Sequence, residues 1–168
     1  MVSLEPDVAL IKLREPLELS VEKKILPICV GSSLSPETKD GPDARVCIST
    51  GWGRNRYLTG RMMPVLQKVD VPLITLEKCK NNYNGVANIT DSMICSGLEG
   101  HATCEGDSGG PLQCLEKNPD QKGEETYHLY GLTSFAVGCA TAQFPSVNCR
   151  VPKFRDWIAE KMIHERDD

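Results

Sequence analysis

The residues best suited to chemistry lie together in one short stretch, 104–114, which reads C-E-G-D-S-G-G-P-L-Q-C. Ser108 stands between an aspartate and two glycines, and Cys104 and Cys114 bound the stretch. Glycine adopts backbone angles that other residues avoid and lets a substrate approach the main chain closely. A serine that attacks a carbonyl needs such a loop, because N–H donors must lie about 3 Å from the oxyanion that forms. The N–H groups of Gly106 and Ser108 are close enough in sequence to share one hollow.

A purely structural role, a glycine-rich loop held by a disulfide, is the alternative interpretation of this stretch. The full run with both cysteines and Pro111-Leu112 favours the nucleophilic one. This run resembles the nucleophile loop of the trypsin/chymotrypsin-like serine endopeptidases (peptidase family S1), and the resemblance extends from about Leu4 to Ile163. It implies an all-β, chymotrypsin-like double β-barrel that uses the Ser-His-Asp mechanism of that family.

The resemblance also implies a role for each residue of the site. Ser108 is the nucleophile, and the N–H groups of Gly106 and Ser108 form the oxyanion hole. Asp7, which opens the D-V-A-L-I-K-L segment at 7–13, takes the position of the triad aspartate. Read alone, an aspartate after a proline is an ordinary turn or strand-entry residue. Asp107 is the acid that pairs with the ammonium of a freshly cut N-terminus.

The general base is the residue that this chain lacks. In the family the order along the chain is His, Asp, Ser, whereas all three histidines here, His101, His128 and His164, follow Asp7. Solvated surface or strand packing accounts better for each of them. We therefore expect the later part of a longer protease, without most of the first barrel, which is nearly inactive and marginally stable alone.

The substrate pocket is implied by resemblance at six positions: Ala102, Thr103, Ser134, Phe135, Ala136 and Ser146. Ala102 holds the place at the pocket floor, where an Arg or Lys side chain of a substrate would find no counter-charge. Ala136 and Ser146 replace the usual wall glycines and add atoms to the pocket. Small aliphatic side chains are therefore the expected preference. Ser134 and Ala136 would pair with the substrate main chain as a short antiparallel strand.

The eight cysteines are typical of a disulfide framework, because their spacings do not fit zinc sites. The resemblance implies three pairs: Cys47–Cys114, Cys79–Cys95 and Cys104–Cys139. Cys29 and Cys149 are left over. Either they pair with each other or Cys29 has its partner in an upstream chain, and the second alternative is narrowly favoured.

Composition and charge exclude several classes of partner. The net charge of -4 is mild and mixed, so the sequence predicts neither a nucleic-acid nor a membrane-surface partner, and it calls for no cofactor or metal. A protein or peptide is the expected substrate. Disulfides indicate an oxidising, extracellular compartment, although the first stretch, M-V-S-L-E-P-D-V-A-L-I-K, has neither the basic start nor the continuous apolar core of a signal peptide. Asn88 begins an N-I-T glycosylation sequon.

The expected domain plan has four parts: the last part of the first barrel at 1–30, a linker at 31–45, the second barrel at 46–151, and a C-terminal helix and tail at 152–168. Residues 7–13 read as a buried strand. Residues 46–53, V-C-I-S-T-G-W-G, resemble the family's entry strand to the second barrel. Alternating apolar residues predict further barrel strands in four segments: 64–73, 92–96, 127–135 and 145–151. The helical spacing of Phe154, Trp157, Ile158 and Met162 predicts an amphipathic terminal helix.

A rival function belongs to another class. The missing base and the substituted pocket walls, Ala136 and Ser146, also fit a non-catalytic protease homologue or truncated isoform that acts as a protein-binding module. The intact G-D-S-G-G run and the position of Asp7 favour the enzyme. An incomplete gene product is a third alternative.

Overall fold

The computed structural model describes residues 7–32, 46–117 and 125–164. Its elements in chain order are β1 (Cys29–Val30), β2 (Val46–Gly51), β3 (Gln67–Ile74), α1 (Leu76–Asn82), β4 (Met93–Ser96), β5 (Pro111–Lys117), β6 (Glu125–Phe135), β7 (Ser146–Arg150), a 3-10 turn (Val151–Phe154) and α2 (Arg155–His164). The fold class is all-β with a short terminal helix, as predicted. Most of the predicted linker and the last four residues of the tail lie outside the described residues.

A closed antiparallel barrel is the centre of the fold. The strands follow the order β1-β6-β5-β2-β3-β4-β7, and the pairing of β6 with β7 closes the ring. β1 adds to it in parallel, with Cys29 opposite His128. Closure leaves the barrel strands without free edges, so their backbone groups are paired.

Two clusters of buried side chains fill the fold. The first lies among β2, β3, β4, β5 and β6 and consists of Cys47, Val71, Leu73, Ile94, Leu112, Cys114 and Tyr130. The second joins α1 to β4 and β7 and consists of Cys79, Tyr83, Ile89, Met93, Cys95 and Val147. Each cluster contains one disulfide, Cys47–Cys114 in the first and Cys79–Cys95 in the second. The first disulfide links β2 to β5, and the second links α1 to β4.

The predicted buried strand at 7–13 is wrong. The segment forms no strand in the structure, and its apolar side chains are exposed, with Ile11 84% accessible. A strand requires a neighbour for its N–H and C=O groups, and none of the described strands pairs with this segment. The apolar residues that follow it, up to Ile28, are also largely exposed.

The terminal helix is present, and α2 begins after a 3-10 turn that contains Pro152. Its amphipathic packing is weaker than predicted. Phe154, Trp157 and Ile158 are half-buried, but Met162 is 53% exposed.

Candidate active site

The nucleophile loop is fixed by its own main chain and by β6. Asp107 N–H donates to Cys104 O at 3.0 Å, and Gly110 N–H donates to Asp107 O at 2.9 Å. Gly109 N–H bonds to Thr133 O at 2.8 Å, and Thr133 N–H returns a bond to Gly110 O at 2.9 Å. Ser108 is exposed at the tip of this turn. The fixed main chain therefore presents one hydroxyl to solvent.

Glycine is required at two positions of this loop by the backbone itself. Gly106 and Gly109 have φ angles of +92° and +78°, which L side chains rarely adopt. Gly106 is one of the two residues whose N–H groups are predicted to hold the oxyanion. The Cys104–Cys139 disulfide ties the start of the loop to the segment after β6.

Asp107 turns its carboxylate inward, toward the G-W-G run that ends β2. One oxygen accepts from Gly53 N–H at 2.8 Å, and the other accepts from Cys104 N–H at 2.9 Å. A Cβ at Gly51 would lie 2.0 Å from Asp107 Oδ1, so the carboxylate occupies the space that a side chain would need. The carboxylate lines a cavity of about 420 Å³, which Ala102 lines as well.

Asp7 lies beside the end of β6. Its carboxylate accepts a hydrogen bond from the hydroxyl of Ser134. The register of β6 against β7 shifts between Thr133 and Phe135, so Ser134 lies at a β-bulge. Bulges redirect side chains and are common beside active sites. Here the bulge brings together two residues that the sequence analysis assigned to one site.

A smaller cavity of about 260 Å³ opens beside Ser108. Four of the predicted pocket residues line it: Thr103, Ser134, Phe135 and Ala136. Ala102 lines the larger cavity instead, and Ser146 is buried on β7. Thr103 Oγ1 donates to Ser146 Oγ at 2.8 Å, and both residues are buried. This hydrogen bond joins the wall of the smaller cavity to β7.

Phe135 connects the smaller cavity to the second core cluster. Its ring meets the ring of Tyr83 edge-on, with centroids 5.8 Å apart. Tyr83 also donates to Pro145 O at 2.7 Å. Burial raises the pKa of Tyr83 to about 12, while a backbone hydrogen bond from Val137 acts in the opposite direction. The phenol is therefore neutral at physiological pH. Its ring packs behind Phe135, which lines the smaller cavity.

Among the described residues that line the smaller cavity there is no histidine. His101 is exposed in the turn before the nucleophile loop. His128 lies on β6, where its Nδ1 is 3.6 Å from Glu116 Oε2. His164 ends α2, and its side chain is outside the described set. Among the described residues no cluster of three potential metal ligands occurs.

The structure contains the three disulfides that the resemblance implied: Cys47–Cys114, Cys79–Cys95 and Cys104–Cys139. Cys29 and Cys149 do not form a disulfide with each other. Cys29 is exposed on β1, whereas Cys149 is buried on β7. The predicted glycosylation acceptor Asn88 is also exposed.

Three residues at the cleft were missed by sequence reasoning. Tyr57 and Glu105 line the smaller cavity, and Arg54 forms an ion pair with Glu105 at 2.9 Å. The residue types of these three positions do not by themselves indicate a role in a site. Arg54 and Tyr57 also lie in a polar loop that resembles an ordinary connection. Only the fold shows that this loop returns to the surroundings of Ser108.

The barrel, the fixed serine turn and the disulfides together define a serine-protease-like fold, and comparison with known proteins places the chain in a family. The family model described as Trypsin matches residues 2–158. The chain therefore belongs to the trypsin family.

Individual relatives agree with that assignment. Transmembrane protease serine 9 of Rattus norvegicus is 37% identical over 161 residues, which cover 95% of this chain and 14% of the relative. Serine proteinase stubble of Drosophila melanogaster is 38% identical over 167 residues, covering 95% of this chain and 19% of the relative. The chain thus spans less than a fifth of these two proteins.

A solved structure shows the same fold. Neuropsin, a serine protease expressed in the limbic system of mouse brain, superposes with a TM-score of 0.73 at 29% identity, over 90% of this chain and 59% of that one. The all-β fold is therefore of the chymotrypsin-like type. In the described part of the chain, no helix has the length and apolar character needed to cross a membrane.

Proposed function

We propose that this chain is the later part of a serine endopeptidase in which Ser108 attacks the carbonyl of a peptide bond. One observation carries the proposal: Ser134 lines the cavity beside Ser108 and donates its hydroxyl to Asp7. Ser134 thus lines the same cavity as the assigned nucleophile and is bonded to the acid assigned to the triad. Trypsin-family membership supports a hydrolase, because the family's chemistry uses these residue types.

The mechanism assigns each proton to a group. A histidine supplied by sequence outside this chain removes the proton from Ser108 as its oxygen bonds to the substrate carbonyl carbon. Asp7 accepts the other imidazole N–H and stabilises the imidazolium. The N–H groups of Gly106 and Ser108 hold the carbonyl oxygen as it becomes an oxyanion. The imidazolium protonates the leaving amine, and water then hydrolyses the acyl-enzyme.

Asp107 lines the larger cavity, where a cationic partner could bind its carboxylate. We assign it the ammonium of a cut N-terminus as partner, since its carboxylate lines a cavity of about 420 Å³. The carboxylate already accepts two N–H bonds, from Gly53 and Cys104. A cation in this cavity would balance the charge and hold the start of the nucleophile loop.

The preferred substrate carries a small aliphatic side chain before the cleaved bond. Ala136 adds a methyl group to the lining of the smaller cavity. The bonded pair Thr103–Ser146 closes the space toward β7 with uncharged groups. Glu105, the carboxylate among the described lining residues, is already paired with Arg54. A long basic side chain would therefore find no free counter-charge, and burial of an unpaired cation is unfavourable.

By itself this chain would be nearly inactive. Activity collapses when one member of a cooperating catalytic group is removed. None of the three histidines occupies the position of the base, since all follow Asp7 in the sequence. The exposed apolar side chains of 10–28 would also favour association of the chain alone.

Disulfides support an extracellular setting for the whole protein, because such bonds persist in oxidising compartments. We assign a glycan to Asn88, which is exposed in its N-I-T sequon. We assign Cys29, exposed on β1, a disulfide to an upstream chain.

A second function, a binding module without catalysis, is favoured by one observation. The segment 10–28 exposes a series of large apolar side chains: Leu10, Ile11, Leu13, Leu17, Leu19, Val21, Ile25, Leu26 and Ile28. Exposed apolar surface of this extent is typical of a surface that another polypeptide covers.

Hydrolysis of short peptide esters by the natural protein, purified from the culture medium of cells that secrete it, separates the two functions. The enzyme proposal predicts turnover that Ser108→Ala lowers by at least about 10³-fold. Ser20→Ala, in the turn at 20–25, serves as the matched control and should keep full activity. A natural protein with no turnover would support the binding module instead, whereas turnover that survives Ser108→Ala would contradict Ser108 as the nucleophile.

A further inference from the structure

Residues 52–63, which make up most of the segment between β2 and β3, fold back on themselves beside the nucleophile loop. We call them the 52–63 loop. Met63 N–H donates to Trp52 O at 3.0 Å and closes its base. Arg54 and Met62 face each other as an antiparallel bridge. These bonds give the loop a defined shape beside the residues that precede Ser108.

Arg54 holds Glu105 by main chain and side chain together. Its N–H donates to Glu105 O at 2.8 Å. Its Nε lies 2.9 Å from Glu105 Oε2, and its Nη1 donates to Gly60 O within the same loop. One side chain therefore crosslinks the loop internally while it holds the residue before Gly106.

The carbonyl held by Arg54 belongs to the same peptide group as the N–H of Gly106. A peptide group is planar and trans, so its C=O and N–H point in opposite directions. While Glu105 O faces Arg54, Gly106 N–H must face away from the 52–63 loop. Rotation of this peptide by half a turn would reverse both groups and replace a donor with a carbonyl oxygen.

Met62 encloses Gly106 from the loop side. A Cβ at Gly106 would come within 2.4 Å of Met62 Cε and 3.3 Å of Gly53 Cα. Gly106 thus has neighbours at its Cα, and the peptide group that precedes it is bonded to Arg54. The donor assigned to the oxyanion is held by the 52–63 loop as well as by the nucleophile turn.

We propose that Arg54 is a positioning residue for the oxyanion donor: it holds the Glu105–Gly106 peptide in the orientation that directs Gly106 N–H toward the reacting carbonyl. The inference rests on the proposed function for its kinetic consequence. Arg54 touches no reacting atom in this account. It acts through the peptide that it binds, and its effect should appear in the chemical step.

The kinetic test compares Arg54→Ala with Arg61→Ala in the natural protein, using a small neutral ester substrate. Complete loss of an oxyanion donor lowers kcat by about 10²–10³-fold. Arg54→Ala keeps the main-chain N–H, so the expected loss is about ten-fold in kcat, with KM changed by less than about two-fold. Arg61→Ala removes the same charge from an exposed position of the same loop and should leave both constants unchanged.

Reversing the charges of Arg54 and Glu105 tests whether restoring their ion pair restores kcat. Arg54→Glu should lower kcat more than Arg54→Ala, and the double variant Arg54→Glu with Glu105→Arg should recover most of the loss. Should Arg54→Ala fail to fold, Arg54→Lys keeps the cation but not the fork of donors, and about a three-fold loss of kcat is expected. An unchanged kcat in the folded variant, a rise in KM alone, or an equal loss in Arg61→Ala would overturn the proposal.

Amide hydrogen exchange separates this inference from the proposed function. Absence of turnover in the natural protein would contradict the enzyme, but the exchange rate at residue 54 still reports the bond to Glu105 O. Slow exchange in the natural protein and in Arg61→Ala, with at least about ten-fold faster exchange in Arg54→Ala, supports the positioning role. Fast exchange at residue 54 in the unmodified protein, or equal rates in the two variants, overturns it.

Discussion

Ser134 donates its hydroxyl to the carboxylate of Asp7, although 127 positions separate the two residues in the chain. Asp7 belongs to a segment that forms no strand, whereas Ser134 lies at a bulge in the longest strand of the barrel. The bond is therefore a specific contact between a weakly structured segment and the rigid wall of the cleft. In the proposed mechanism it fixes the acid that orients the base.

The contact predicts unequal effects of two substitutions. Asp7→Asn keeps the shape of the side chain but removes its charge, and in chymotrypsin-like enzymes the corresponding change lowers kcat about 10⁴-fold. Ser134→Ala keeps the charge on Asp7 and removes one hydrogen bond, so a loss of about ten-fold is expected. Steady-state kinetics of the two variants provide the measurement. Equal losses, or a larger loss for Ser134→Ala, would contradict the assignment of Asp7.

The position of the Asp107 carboxylate predicts that a side chain at Gly51 destabilises the protein. A Cβ there would lie 2.0 Å from the carboxylate oxygen, and overpacking of this kind costs about 1–3 kcal/mol. Gly51→Ala should therefore lower Tm and abolish modification of Ser108 by serine-directed reagents.

Gly85→Ala is the matched control for that substitution. Gly85 has a φ of +77°, and a Cβ added there would have no other atom within 4 Å. Alanine at this position should cost about 1 kcal/mol through backbone strain alone and leave Ser108 reactive. Modification of Ser108 in Gly51→Ala at the normal rate would show that Asp107 does not control the nucleophile.

The lining of the smaller cavity predicts a change of specificity. Ala136→Gly removes the methyl group from the cavity and should raise kcat/KM for Phe-containing over Ala-containing esters by about ten-fold, since one methylene in a pocket is worth about 10–200-fold. Ala142→Gly, at an exposed position beyond the disulfide, is the control. An unmodified enzyme that cuts after Arg or Phe far faster than after Ala or Val would contradict the assigned pocket.

Tyr83 predicts an alkaline loss of stability. Its pKa is raised to about 12 by burial, whereas an unfolded tyrosine titrates near 10. Above pH 10 the unfolded chain releases this proton and the folded chain keeps it, so the free energy of unfolding falls between pH 10 and about 12. Below pH 10 the residue contributes no pH dependence.

Tyr83→Phe isolates this contribution from those of other groups. The variant loses the hydrogen bond to Pro145 O, so its stability at neutral pH should be lower by about 1 kcal/mol. Denaturant unfolding at a series of pH values should show a shallower decline above pH 10 for the variant. If the free energy of unfolding declined with pH equally in both proteins, the phenol would ionise as easily in the folded as in the unfolded chain.

Sequence pattern predicted the barrel well because closed antiparallel strands alternate between core and solvent. β3, β4, β6 and β7 lie within or close to the predicted segments 64–73, 92–96, 127–135 and 145–151. The helix α1 was missed, although Thr75 accepts from Lys78 N–H as an N-cap. A helix of one to two turns has too few apolar residues to show a period.

The wrong strand at 7–13 and the missed Arg54 have one physical cause. Both depend on contacts between distant parts of the chain, which local pattern does not contain. A strand forms only where a neighbour pairs with it, and an arginine in a polar loop becomes part of a site only when the fold places Glu105 next to it. Ser108, by contrast, is marked by the glycines that its own turn requires.

Covalent labelling of Ser108 tests whether this residue is the nucleophile. The natural protein is treated with a fluorophosphonate, digested, and examined by mass spectrometry for the modified residue and for its N-terminus. We expect a single label on Ser108, together with an N-terminal Ile or Val that precedes Met1 of this chain. Absence of the label on Ser108, or a label on another residue, would contradict the claim that this loop carries the nucleophile.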